Sequence, residues 1–125
     1  MSDGVQGVGQ IRVNVTDVGR AVAFYRDVLG LPLLFEVPEQ QMAFLDCGGV
    51  RLYLGVPAPG EQSQTTLVYY RVESLDAMYE ELRATGVEFE HEPHTVYRLE
   101  SVEGRMAFLR DSEGNLVGLM EERPL

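Results

Sequence analysis

The sequence contains no lysine: all ten of its basic residues are arginine. Schiff-base catalysis through lysine and lysine-bearing phosphate loops are therefore excluded. There is one cysteine, Cys47, in an Asp46-Cys47-Gly48-Gly49 turn. No intrachain disulfide can form, and a reducing compartment is expected. The ten arginines are outnumbered by twenty Asp and Glu, giving a formal charge of −10. An acidic surface repels phosphate backbones, so neither nucleic acid nor an anionic membrane is expected as a partner. No stretch approaches the ~20 apolar residues of a membrane span. Met1 to Gly9, with Asp3 and three glycines, does not read as a secretion signal or an anchor, and a cytoplasmic location is expected. The 125 residues are one domain's worth of chain, and the 45% apolar and 24% charged fractions are those of a folding sequence.

What the chain does have is an internal repeat. Met42-Ala43-Phe44-Leu45 recurs as Met106-Ala107-Phe108-Leu109, and a polar, Gly-containing turn and an apolar strand follow both copies. Upstream of each lies a strand running into an amphipathic helix: Ile11 to Val15 then Val18 to Leu29, and Leu67 to Val72 then Leu75 to Ala84. Val18, Val22, Tyr25 and Leu29 form one stripe, with Thr16 and Asp17 as cap candidates and Gly30 and Pro32 as stops. Leu75, Met78, Tyr79 and Leu82 repeat the stripe, capped by Ser74 and stopped by Gly86. Three strands are expected after each helix. In the first copy they fall around Leu33–Val37, Met42–Asp46 and Val50–Val56, and in the second around Val87–Glu90, Arg105–Arg110 and Leu116–Glu121. This is βαβββ twice, over 8–56 and 65–122, joined by a Pro/Gly/Ser/Gln-rich linker over 57–64. Glu92 to Gly104, carrying His94, Tyr97 and Arg98, reads as an insert able to form a flap.

Strand alternation sorts the faces. Ile11, Val13 and Val15 should meet the first helix, leaving Gln10, Arg12 and Asn14 opposite. Val68, Tyr70 and Val72 take the same role in the second copy, leaving Leu67, Tyr69 and Arg71 opposite. Arg51 and Tyr53, and Leu116, Gly118 and Met120, join that second face. A face with Arg12, Arg51 and Arg71 is either solvated and ion-paired or a surface where guanidinium forks hold an anionic group and tyrosines close the sides.

The paired modules, with Ala21-Val22-Ala23-Phe24-Tyr25-Arg26-Asp27-Val28-Leu29-Gly30-Leu31 in the first and Asp111-Ser112-Glu113-Gly114-Asn115 in the second, resemble the glyoxalase, bleomycin-resistance and extradiol-dioxygenase superfamily, the vicinal oxygen chelate proteins. The resemblance covers nearly the whole chain. It implies a single α+β domain whose two βαβββ modules form a curved mixed sheet around a cup, with helices outside, and it implies a homodimer. Enzymes of the superfamily hold a divalent metal in the cup, and the matching positions here are Gln10, Tyr53, Leu67 and Gly118. Only Gln10 is a conventional ligand, since leucine and glycine offer no donor and tyrosine replaces His or Glu poorly. No cofactor is assigned on this basis, and a divalent metal would need other ligands. His91-Glu92-Pro93-His94 is not the zinc motif HExxH, because its histidines are three apart and Pro93 breaks a helix. His91 is expected on the surface among Glu88, Glu90 and Glu92, whereas His94, opening the insert, is a candidate catalytic base.

Two functions follow from the resemblance. One is a metal-free protein that binds a small molecule through Gln10, Arg12, Arg51, Tyr53, Leu67, Tyr69, Arg71, Gly118 and Met120. The other is a glyoxalase- or dioxygenase-like enzyme using a divalent metal at rearranged ligands or His94 as base. A third possibility is a fold serving only as an interaction module.

Overall fold

The computed structural model describes residues 4–60 and 66–125. The chain divides into two compact units, Met1–Thr65 and Thr66–Leu125. Part of the expected linker, residues 61–64, lies outside the described residues.

In the first unit, β1 (Gln10–Asn14) leads into α1 (Val18–Ala23), followed by β2 (Leu33–Val37), β3 (Met42–Cys47) and β4 (Val50–Gly55). The sheet order is β1-β4-β3-β2, with β1 parallel to β4 and the other pairs antiparallel. Asp17 caps α1 by accepting from the Arg20 amide at 3.0 Å. Beyond Ala23 the helix widens into a π-helical turn over Phe24–Val28, where the Leu29 N–H reaches back five residues to the Phe24 carbonyl at 3.2 Å. The sequence predicts a plain helix through Leu29. The widened turn still sets Tyr25, 1% exposed, on the buried stripe with Ala21 and Val22. Gly30 ends the segment at φ +80°, a conformation that side chains with a Cβ disfavour.

The second unit repeats the plan. Strand β5 (Val68–Arg71) leads into α2 (Leu75–Ala84), then β6 (His94–Arg98), β7 (Val102–Arg110) and β8 (Leu116–Pro124), in the order β5-β8-β7-β6. Ser74 caps α2 through the Ala77 amide, and the Glu121 carboxylate accepts from the Leu75 amide at 2.8 Å, tying β8 to the helix start. Leu75, Tyr79 and Leu82 are buried, as the stripe predicts.

One element differs from expectation. The strand expected at Val87–Glu90 is reduced to an isolated bridge between Phe89 and Leu109. The strand instead occupies His94–Arg98, inside the segment expected to form a flap, and it pairs with β7 from His94↔Met106 to Arg98↔Glu103. The alternation in Val87-Glu88-Phe89-Glu90 imitates a strand. The true β6 is an edge strand with a register shift between Thr95 and Tyr97 and hardly any burial, so it lacks the one-sided apolar pattern that reveals strands.

Each sheet buries one face. Val13, Val15, Ala43, Leu45, Leu52 and Leu54 form it in the first unit, and Tyr70, Ala107, Leu109, Val117 and Leu119 in the second. Each fully buried leucine contributes about 1.5–3 kcal/mol of transfer free energy. The opposite faces carry the polar and aromatic side chains.

Candidate functional site on the open sheet faces

On the open face of the first sheet, register places Gln10 beside Arg51, Arg12 beside Tyr53, and Tyr53 beside Phe44, which in turn faces Phe35. Cross-strand neighbours on one face stand close enough for their rings to stack. Phe35 and Phe44 are stacked with ring centres 4.6 Å apart, and Phe44 and Tyr53 with centres 4.7 Å apart. The Arg12 guanidinium lies over the Tyr53 ring at 4.9 Å and donates through Nε to Asn14 Oδ1 at 3.1 Å. Arg51 lies over Phe44 at 5.3 Å. A three-ring ladder thus crosses β2, β3 and β4 and carries two guanidinium groups.

The second sheet's open face carries Tyr69 and Arg71 from β5, Gly118 and Met120 from β8, Met106 and Phe108 from β7, and His94 from β6. Tyr69 meets Phe108 edge-on at 5.8 Å, Phe108 meets His91 at 5.7 Å, and His91 meets His94 at 4.5 Å. His91 is exposed, as expected, yet its ring belongs to this chain of contacts. Leu67 lies just before β5 and is 40% exposed.

Glycines make room for the rings. A Cβ on Gly55 would stand 2.9 Å from Tyr53 Cε1, one on Gly104 would run into the Tyr97 ring, and one on Gly118 would stand 2.8 Å from Tyr69 Cδ2. In all three cases a tyrosine ring covers a strand glycine, the arrangement that a missing side chain permits. Tyr97, held on Gly104, donates its hydroxyl to Glu122, and that bond raises its pKa above the usual phenol value.

Several charged groups have structural partners. Arg105 pairs with Asp76 at 2.8 Å, and Arg123 reaches both Glu103 at 2.7 Å and Asp76 at 3.7 Å. The hydrogen bond from Arg123 holds the Glu103 carboxyl below its ordinary pKa. Arg110 pairs with Glu90, Arg98 with Glu103, and Arg26 with Asp27. Among the described residues, Arg51 and Arg71 on the open faces, and Arg83 over the Tyr79 ring on α2, form no such ion pair. Cys47 is half-buried, and burial pushes its thiol pKa up, which leaves little thiolate for nucleophilic chemistry.

Asp111 is the buried carboxylate of the Asp111-Ser112-Glu113-Gly114-Asn115 turn. Its Oδ1 accepts from the amides of Glu113 and Asn115, each at 2.8 Å, and its Oδ2 accepts from Asn115 Nδ2 at 3.1 Å. This motif closes the hairpin between β7 and β8 and so fixes where Gly118 and Met120 stand.

Gln10, Tyr53, Leu67 and Gly118, the positions that the resemblance matches to metal ligands, are each poor donors. Gln10 offers a neutral amide, Tyr53 is engaged by Phe44 and Arg12, and Leu67 has no donor. The space next to Gly118, where a ligating side chain would begin, is filled by Tyr69. Among the described residues no group of three or more His, Cys, Asp or Glu side chains is placed to enclose an ion.

Of the residues singled out in the sequence, Gln10, Arg12, Arg51 and Tyr53 meet on the first open face. Tyr69, Arg71, Gly118, Met120 and His94 meet on the second. Sequence reasoning missed Phe35, Phe44 and Phe108. The apolar motif repeated around Phe44 and Phe108 marks them as core, but alternation against Ala43, Leu45, Ala107 and Leu109 assigns them to the open side.

Two βαβββ units with the same strand order, each with a helix on one sheet face and arginines and aromatics on the other, define the paired-module α+β class. The chain belongs to the glyoxalase/bleomycin resistance protein/dioxygenase superfamily, whose family model matches residues 7–119. An uncharacterized protein of Bacillus subtilis, YraH, is 31% identical over 121 residues, covering 86% of this chain and 92% of its own. The solved structure of a lactoylglutathione lyase from Agrobacterium tumefaciens superposes with a TM-score of 0.78 at 23% identity, over 94% of this chain and 95% of that one. TnmS3, an antibiotic binding protein from a Streptomyces species, superposes with a TM-score of 0.74 at 21% identity, over 98% of this chain and all of that one, 100%. At such identities the structures share the fold. Among the described residues, no helix is long and apolar enough to cross a membrane.

Proposed function

We propose that the protein binds a small organic anion on its open sheet faces without the superfamily's metal chelate. The observation that supports this reading is an exposed arginine without an ion pair on each open face, Arg51 on the first sheet and Arg71 on the second. In a chain with twenty carboxylates, five other arginines hold acidic partners while these two, exposed on the open faces, form no ion pair among the described residues. An unpaired guanidinium beside aromatic rings suits a carboxylate, sulfonate or phenolate attached to an aromatic body. The ring ladder supplies apolar contact and Gln10 a neutral donor and acceptor. Tyr69, Leu67 and Met120 supply the same kind of surface on the second sheet. An antibiotic binding protein among the structural neighbours agrees with sequestration on this fold. In the same proposal the protein is a cytoplasmic homodimer.

A second reading rests on His94. Its Nδ1 lies 3.3 Å from the Glu92 carbonyl, and donation to that oxygen leaves Nε2 with a lone pair. His94 in that tautomer is equipped to act as a general base on a molecule held at the second face.

Titration with 1-naphthoate and with its uncharged methyl ester tests the binding reading. The anion should bind more tightly than the ester. Arg51→Ala should weaken the anion by about 10- to 100-fold, the loss of a charge-assisted hydrogen bond, and leave the ester nearly unchanged. Equal affinity for both compounds in both proteins would remove Arg51 from the site.

A further inference from the structure

Independently of the ligand site on the open faces, we propose that a groove at the end of α2 is a second binding site, one that takes a basic α-amino acid such as lysine. The groove has a volume of about 560 Å³ and runs between the second half of α2 and the extended segment that follows the helix. Tyr79 and Arg83 line it from the helix, and Val87, Glu88, Phe89 and Glu92 line it from the segment. Its volume falls in the range of small-molecule sites.

The choice of ligand rests on the charges. Arg83, Glu88 and Glu92 border the same groove, yet among the described residues none of the three forms an ion pair, with one another or with any other side chain. Glu90, between the two glutamates in sequence, is taken by Arg110 at 2.6 Å. Of these three glutamates, the two without an ion pair are therefore the two that border the groove. Opposite charges that share a groove without meeting leave room between them for a molecule that carries both signs. One guanidinium and two carboxylates are complemented by one carboxylate and two ammonium groups, the charge set of lysine and its shorter diamino acid relatives.

The walls are fixed before any ligand arrives. The Arg83 guanidinium lies over the Tyr79 ring at 5.3 Å, which restricts it to the groove wall. Tyr79 and Phe89 meet edge-on with ring centres 4.8 Å apart. The segment is tied to the helix end by the Val87 N–H, which donates to the Leu82 carbonyl at 3.0 Å, and to β7 by the Glu90 N–H, which donates to the Phe108 carbonyl at 2.8 Å. Val87 and Phe89, half-buried, offer apolar surface to a methylene stem, while Arg83 takes the carboxylate and Glu88 and Glu92 the ammonium groups.

The probe is L-lysine, titrated calorimetrically into the full chain at low ionic strength. Cadaverine, which lacks the carboxylate, and 6-aminohexanoate, which lacks the α-ammonium group, are the comparison compounds. L-lysine should bind more tightly than either. Arg83→Ala should weaken L-lysine by about 5- to 10-fold, the loss of one exposed charge-assisted contact, and bring it level with cadaverine, whose own affinity stays the same. The double variant Glu88→Gln/Glu92→Gln should weaken both compounds, with circular dichroism unchanged in every variant. Arg51→Ala should bind L-lysine as the wild type does, which separates this result from the fate of the open-face site. No binding of L-lysine up to about 10 mM, equal affinity for L-lysine and cadaverine in the wild type, or a loss in Arg51→Ala instead of Arg83→Ala would overturn the proposal.

Discussion

Gly118→Glu, which puts a carboxylate at the β8 position that the resemblance matches to a metal ligand, should destabilise the protein and create no metal site. The new Cβ would lie 2.8 Å from Tyr69 Cδ2 and 3.2 Å from Phe108 Cε1 on a buried segment of β8. Forcing extra atoms into occupied space costs about 1–3 kcal/mol, which lowers the melting temperature of a domain this size by roughly 5–10 °C. Tyr69 is exposed and can be cut away, so adding Tyr69→Ala should recover most of the loss. Melting curves with and without Mn(II) and Zn(II) check both parts. A Gly118→Glu variant as stable as wild type, and stabilised further by either ion, would mean that Tyr69 does not close the space beside Gly118.

Asp111→Ala should cost more. The carboxylate is 6% exposed and takes three hydrogen bonds that close the β7–β8 turn. Removing it leaves the amides of Glu113 and Asn115 without their acceptor, and bonds to a charged group contribute about 1.5–3 kcal/mol each before any compensation by water. We expect a loss of about 3 kcal/mol and a melting temperature lower by about 10 °C or more. Asp111→Asn should fall between the two, since an amide oxygen still accepts from both backbone donors. A loss below half a kilocalorie per mole in Asp111→Ala, measured by urea denaturation, would show that the turn holds without its carboxylate.

Much of the fold was legible because each sheet has one buried face. The pattern Ile11, Val13, Val15 against Gln10, Arg12, Asn14 could be sorted by alternation alone, and the pairings of β1 with β4 and of β3 with β4 keep those faces together. Both helix caps were legible because Asp17 and Ser74 are residues whose side chains satisfy free N-terminal amides. The edge strand β6 was not, because both of its faces are largely exposed and Val87–Glu90 offered a cleaner imitation.

The site was legible in its charges and less so in its rings. Arg12, Arg51, Tyr53 and Tyr69 could be placed by counting along strands, whereas the Phe35–Phe44–Tyr53 ladder depends on pairing between strands that a single segment does not reveal. The glycines under Tyr53, Tyr97 and Tyr69 were likewise hidden. A strand glycine signals a close approach, but only the fold says which side chain makes it. His94 was singled out as the start of a flap and instead begins β6, where Met106 is its cross-strand neighbour and His91 its ring contact.

The most direct test of metal-independent anion binding is calorimetric titration of 1-naphthoate into protein treated with EDTA and dialysed free of it. The wild type should bind with the same affinity before and after chelation, and Arg51→Ala should lose binding by about 10- to 100-fold, as loss of one charge-assisted contact implies. Binding that disappears with EDTA and returns on adding a divalent cation, while surviving loss of Arg51, would contradict the account and point to a chelated ligand.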